Sequence, residues 1–123
     1  MIISAIKLEL IQPYIAETKR EGMAGYSNKA EYYGAFVENK LVGFTSIQYY
    51  GKKAKFNNHF IFKEHRGNGY FKELLDFSIW KAKVNGCTEV VAACTKMSVK
   101  EYLKRGAIIE REYKICTNIK LTI

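Results

Sequence analysis

Arg66-Gly67-Asn68-Gly69 stands between an aromatic, β-prone run, Phe60-Ile61-Phe62, and a helical pattern that begins at Tyr70. A glycine-rich turn at a helix N-terminus exposes consecutive backbone N–H groups, and the helix dipole adds partial positive charge there, so the arrangement suits a pyrophosphate. Arg66 and Lys72 could add charge-assisted contacts to the same oxygens. A turn of this kind is also a common steric solution to a tight corner, so taken alone it does not choose between binding and packing. Two phosphate-binding loops are excluded. Tyr70 and Phe71 replace the lysine and hydroxyl residue that follow the last glycine of a nucleoside-triphosphate loop. The three-glycine spacing of a dinucleotide fingerprint is absent.

The elements around this loop are legible from periodicity. Ile2 to Ile6 is β-prone, Pro13 at a first helical position opens a helix, and Gly22 closes it. Met23 to Ala30 reads as a loop or short irregular helix. Tyr32 to Glu38, Leu41 to Tyr50 and Lys55 to Phe62 are strands joined by tight turns at Asn39-Lys40 and Gly51-Lys52, hence an antiparallel meander. Phe71, Leu74, Leu75, Ile79 and Ala82 mark one helix face, ended by Asn85-Gly86. Glu89 to Cys94 is a short apolar strand of the type buried on both faces. Ser98 and Glu101 form a capping box for a helix that stops at Gly106, and Ala107 to Ile123 alternates as one bent strand or two short ones.

A chain of 123 residues, 48% hydrophobic and with one proline, supports one domain with one core and carries no disorder signature. A formal charge of +8 attracts anions in general: nucleic acid, an anionic membrane or a nucleotide's phosphates, with a solvated basic surface as the bland alternative. Cys87, Cys94 and Cys116 show no C-x-x-C spacing, so neither a disulfide framework nor a zinc site is expected, and a reducing cytoplasm is the simplest compartment. The N-terminus lacks the pattern of a signal peptide, and no apolar stretch is long enough to span a bilayer.

Arg66 to Phe71, after a strand and before an amphipathic helix, resembles the coenzyme A loop of the GNAT superfamily of N-acyltransferases: Arg or Gln, any two, Gly, any one, Gly or Ala. Five of the six positions agree, and Phe71 is the exception. Thr95 to Gly106 resembles the family's segment that begins with Asn and ends in Tyr, any three, Gly, with Tyr102 and Gly106 on the last two landmarks. The order of elements agrees as well, over essentially the whole chain, residues 1–123. The resemblance implies an α/β fold with a mixed, mostly antiparallel sheet, whose central parallel strands, Lys55 to Phe62 and Glu89 to Cys94, splay around acetyl-coenzyme A. It implies cofactor contacts from Phe60 and Ile61 to the pantetheine arm, from Arg66, Gly67, Asn68, Gly69, Tyr70, Phe71 and Lys72 to the pyrophosphate, and from Thr95, which replaces the usual asparagine. An amine would attack the thioester directly while Tyr102 protonates the departing thiolate or orders the thiol.

The base that some relatives carry twelve residues before that tyrosine is Val90 here, and Glu89 faces the other way. His59 is the substitute on the cofactor-facing strand, with a buried, hydrogen-bonded histidine as the competing reading; Tyr102 has a packing reading too. Two rivals stand beside an amine N-acetyltransferase. One is an acyltransferase acting on nucleic acid, for which the charge and nine tyrosines would suit. The other is a coenzyme A-binding module without turnover. The acceptor would be chosen by the first helix, the next loop and the last strand pair, where Glu17, Glu21, Tyr26 and Tyr32 stand; a monomer or homodimer is expected.

Overall fold

The computed structural model describes residues 1–23 and 25–123. Strands β1 (Ile2–Ile6), β2 (Glu31–Val37), β3 (Lys40–Tyr50), β4 (Lys53–Phe56), β5 (Phe60–Ile61), β6 (Glu89–Thr95), β7 (Ile108–Glu112) and β8 (Cys116–Thr122) form one sheet. Its order is β1-β2-β3-β4-β6-β8-β7, with β5 pairing β3. Every neighbouring pair is antiparallel except β4 with β6. The fold class is therefore the mixed, mostly antiparallel sheet expected, with its one parallel pair at the centre.

Helix α2 (Tyr70–Val84) and helix α3 (Val99–Lys104) cover one face, burying Leu75, Ala82 and Tyr102 against Ile47, Phe56, Val90 and Ile119. A 3-10 segment (Leu8–Tyr14) and helix α1 (Ile15–Arg20) cover the β1 to β5 part of the other face, where Ile11 meets Tyr32, Phe44, Phe60 and Phe62. Helix α2 supplies the crossover that lets β4 and β6 run parallel, which a tight turn cannot do.

Four expectations are corrected. Pro13 does not open an α-helix: it lies inside the 3-10 segment, and α1 starts at Ile15. The first turn is Glu38-Asn39, both left-handed (φ 51° and 64°), as a two-residue hairpin turn matched to the sheet's twist requires. Strand β6 is buried on one face only, since Glu89, Val91, Ala93 and Thr95 are half-buried where no helix covers that end of the sheet. Lys55 to Phe62 is two strands, not one.

That break positions the site. Between the pairs Phe44↔Phe60 and Gln48↔Lys55, β3 contributes three residues and the opposite chain four, Phe56 to His59. One residue is extra, which defines a β-bulge. Before the bulge, Lys53–Phe56 pairs with Glu89–Ala92 of β6. After it, β5 keeps only β3, so Ala93 to Thr95 of β6 have no strand on that side and the sheet opens.

Candidate active site

The opening is a cleft of about 280 Å³. One wall is the loop and first turn of α2, where Gly67 (φ 83°) and Gly69 (φ 79°) take left-handed backbone conformations that favour glycine. The opposite wall is Thr95, Met97, Ser98 and Glu101, and Phe60 and Ile61 form the floor between them. Phe62 N–H bonds the Val42 carbonyl and Phe60 lies opposite Phe44. The alternation of antiparallel pairing therefore turns the Ile61 peptide away from β3, toward the gap.

Of the ten residues expected at the cofactor, nine line this cleft: Phe60, Ile61, Arg66, Gly67, Gly69, Tyr70, Phe71, Lys72 and Thr95. Asn68 does not; its side-chain amide donates to the carbonyls of His65 (3.0 Å) and Arg66 (3.5 Å), closing the loop on itself. Arg66 lines the cleft as a strut. Its Nε donates to the Ile61 carbonyl at 2.9 Å, its terminal nitrogen lies 2.8 Å from Glu21, and its guanidinium stands 5.1 Å over the Phe60 ring. Its charge is thus already paired, which leaves Lys72 as the exposed cation of the first helical turn.

Glu21, Ser98 and Glu101 are cleft residues that the motifs did not name as such. The capping box expected of Ser98 and Glu101 does not form. Ser98 has helical backbone angles, and its hydroxyl turns back to the Thr95 carbonyl and side chain, both at 3.1 Å. Spacing held the signal: residues three and four apart share a helix face, so Ser98 and Tyr102 at the gap bring Glu101 close to it. Two buried atoms without a hydrogen-bond partner, His65 Nε2 and Glu101 Oε2, belong to residues on the walls of this cleft. Of the two, the His65 imidazole nitrogen beside the glycine loop is the one that fits a ligand with a phosphate end.

A second, narrow pocket of about 10 Å³, room for one small group, shares His59, Thr95 and Ser98 with the cleft and lies where the strands part. Tyr102, 1% exposed, is one of its walls, and among the described residues its hydroxyl has no hydrogen-bond partner. Burial raises its pKa above the ordinary phenol value, so it keeps its proton at neutral pH. Cys94, also on the pocket, donates to the Thr117 carbonyl at 3.2 Å and is pushed by burial to about 11.

His59 is the hub of a buried network. Its Nε2 lies 3.3 Å from the Phe71 carbonyl, which can only accept, so Nε2 carries the proton. Nδ1 then accepts from the Thr45 hydroxyl at 3.2 Å, and Thr45 in turn meets Ser78 of α2 at 3.3 Å. The Phe71 ring rests 4.4 Å from the imidazole. Neighbouring Asn58 accepts from Ser46 at 2.9 Å and reaches the Gly25 carbonyl at 3.4 Å. The bulge is thus tied to β3, to α2 and to the loop after α1.

Burial lowers the His59 pKa to about 4, from an ordinary value of 6.5. The folded state therefore binds fewer protons than the unfolded chain between these values, so stability is full above pH 6.5 and is lost as pH falls through 4. Chemical denaturation between pH 7 and 4.5 is expected to lose about 2–3 kcal/mol through this group, and His59→Gln to flatten that slope. An equally steep slope in the variant would assign the loss elsewhere.

The profile of the Acetyltransferase (GNAT) family matches residues 4–107, and the chain belongs to that family. Acetyl-coenzyme A is the acyl donor that membership brings with it. No curated protein matches by sequence. Among solved structures, an IAA acetyltransferase from Bacillus cereus superposes with a TM-score of 0.78 at 19% identity, covering 99% of each chain. The PaiA N-acetyltransferase from Thermoplasma acidophilum, solved with coenzyme A, gives 0.75 at 18% over 100% of both chains. The ribosomal-protein-S18-alanine N-acetyltransferase from Escherichia coli gives 0.77 at 12%, over 99% of this chain and 93% of that one. At these identities the likeness is one of fold. No described helix is long and apolar enough to cross a membrane.

Proposed function

We propose that the chain is an N-acetyltransferase that moves the acetyl group of acetyl-coenzyme A to a primary amine by direct attack. The observation that carries this reading is the placement of Tyr102 across the strand gap from a glycine-rich helix start. Bound there, acetyl-coenzyme A supplies the acetyl group as an activated thioester. The backbone N–H groups of residues 67–72 and the Lys72 ammonium hold the diphosphate end, and the Ile61 N–H faces the pantetheine arm. Tyr102 Oη, protonated and without another partner, gives its proton to the departing sulfur.

Direct attack is favoured over an acylated side chain because the one thiol at the pocket, Cys94, is held protonated. His59 serves as a positioning residue. Using it as a base would require breaking its bond from Thr45, so its neutral ring fixes Phe71 and the bulge instead.

Acetyl-coenzyme A is expected to raise the melting temperature by mass action. At a hundredfold excess over Kd the gain is about 2.7 kcal/mol, on the order of 10 °C for a chain of this size. Thiol release should then depend on an added amine. A melting temperature unmoved by millimolar acetyl-coenzyme A would remove the reading.

A further inference from the structure

The pocket beside Tyr102 restricts which amines can react there. Its three titratable groups come from the three elements that meet at it, and none can accept a proton at neutral pH. On the bulge, His59 has both ring nitrogens hydrogen-bonded. On β6, Cys94 is a thiol donating to Thr117. On α3, Tyr102 is an intact phenol with a raised pKa. Met23, Phe56 and Ala93 add apolar surface, and Asn57 is neutral. Among the described residues lining the pocket there is no carboxylate.

The nearby acids line the larger cleft and not this pocket: Glu21 is paired with Arg66 at 2.8 Å, and Glu101 stands between Lys104 at 3.4 Å and Arg105 at 4.0 Å. The charge that acts on Cys94 is positive: Lys96 Nζ is held 3.0 Å from the hydroxyl of Thr117, whose carbonyl binds Cys94. An ammonium entering this site loses water and gains no counter-charge from its lining, so the site selects the neutral amine.

Building on the N-acetyltransferase reading, we propose that the acceptor presents an α-amino group on a neutral or anionic molecule, such as an amino acid or short peptide, and not a lysine-type amine or a polyamine. An α-amine has a pKa near 7.8 and is about 30% neutral at pH 7.4, whereas a lysine amine near 10.4 is about 0.1% neutral, roughly a 300-fold difference in reactive species. The overall charge of +8 works against polycations in the same direction. In the step itself the amine lone pair forms the C–N bond and the C–S bond breaks. The sulfur takes the Tyr102 proton, and the proton shed by the nitrogen returns to Tyr102 through water.

The test compares alanine amide, Nα-acetyl-lysine amide and spermidine as acceptors, with stabilisation by acetyl-coenzyme A measured first. Alanine amide should exceed the lysine compound at least 100-fold in kcat/KM at pH 7, and the lysine rate should climb about tenfold per pH unit up to pH 9. Calorimetry in two buffers should show alanine amide releasing most of a proton on binding the coenzyme A-loaded protein at pH 7. A lysine or spermidine preference at pH 7, a pH-independent lysine rate, binding without proton release, or no turnover of any of the three by stabilised protein would each overturn the inference. Lack of stabilisation by acetyl-coenzyme A would instead count against the N-acetyltransferase reading.

Discussion

Tyr102→Phe is expected to lower amine-dependent thiol release by about a hundredfold while leaving the melting temperature almost unchanged. General acid assistance contributes at least that much where a leaving group needs a proton. The expected stability follows from the same geometry. The ring is fully packed, but the hydroxyl has no hydrogen-bond partner among the described residues, so removing it orphans nothing and leaves stability within about 1 kcal/mol. Side chains that tie elements together lack this split: losing the Ser46–Asn58 bond would unsettle fold and activity at once. Full activity in the variant would return Tyr102 to a packing role and leave water as the proton source. Equal losses of activity and stability would mean that the hydroxyl supports the fold.

The second large effect is expected at Gly43, which pairs with Ile61 behind the floor of the cleft. A Cβ there would lie 2.5 Å from the Phe60 carbonyl oxygen and 3.1 Å from the Ile61 Cα, both backbone atoms that cannot rotate aside. Gly43→Ala should therefore cost about 2–3 kcal/mol, read as a lower urea midpoint with unchanged slope. Because β5 is two residues long and pairs with β3 alone, its displacement carries away the Ile61 peptide and the carbonyl that anchors Arg66. Acetyl-coenzyme A should then bind more weakly, even where the variant is still fully folded. Unchanged affinity would show that the floor of the cleft tolerates movement.

Much of this arrangement was legible because it is written locally. The glycine loop, the helix from Tyr70, its end at Gly86 and the meander follow from residues close in the chain, and the parallel strand pair is what the family resemblance implies. What the local pattern does not carry depends on distant partners. Asn57-Asn58 sits inside an otherwise β-prone run, and only pairing against β3 reveals that one residue there is surplus. Arg66 looked like a free phosphate ligand because Glu21 lies 45 positions away. His59 looked like a base because its type and strand suited one; Thr45 and the Phe71 carbonyl, which occupy both nitrogens, meet it only in the fold. Ser98 and Glu101 matched a local capping rule, but the turn from Thr95 to Ser98 had already claimed the serine hydroxyl.

The surplus residue also acts as a switch of parity. Side chains along a regular strand alternate between faces, so an unbulged run of the same length would put Phe60 and Phe62 on the face of Phe56. Instead Phe56 joins the cluster beneath α2 and α3, Phe60 and Phe62 join Ile11 and Tyr32 on the far side, and Ile61 meets Leu74. Deleting one asparagine would set three residues against three and keep each ring on its present face, so what would go is the local bend that a bulge imposes and with it the parting of β5 from β6.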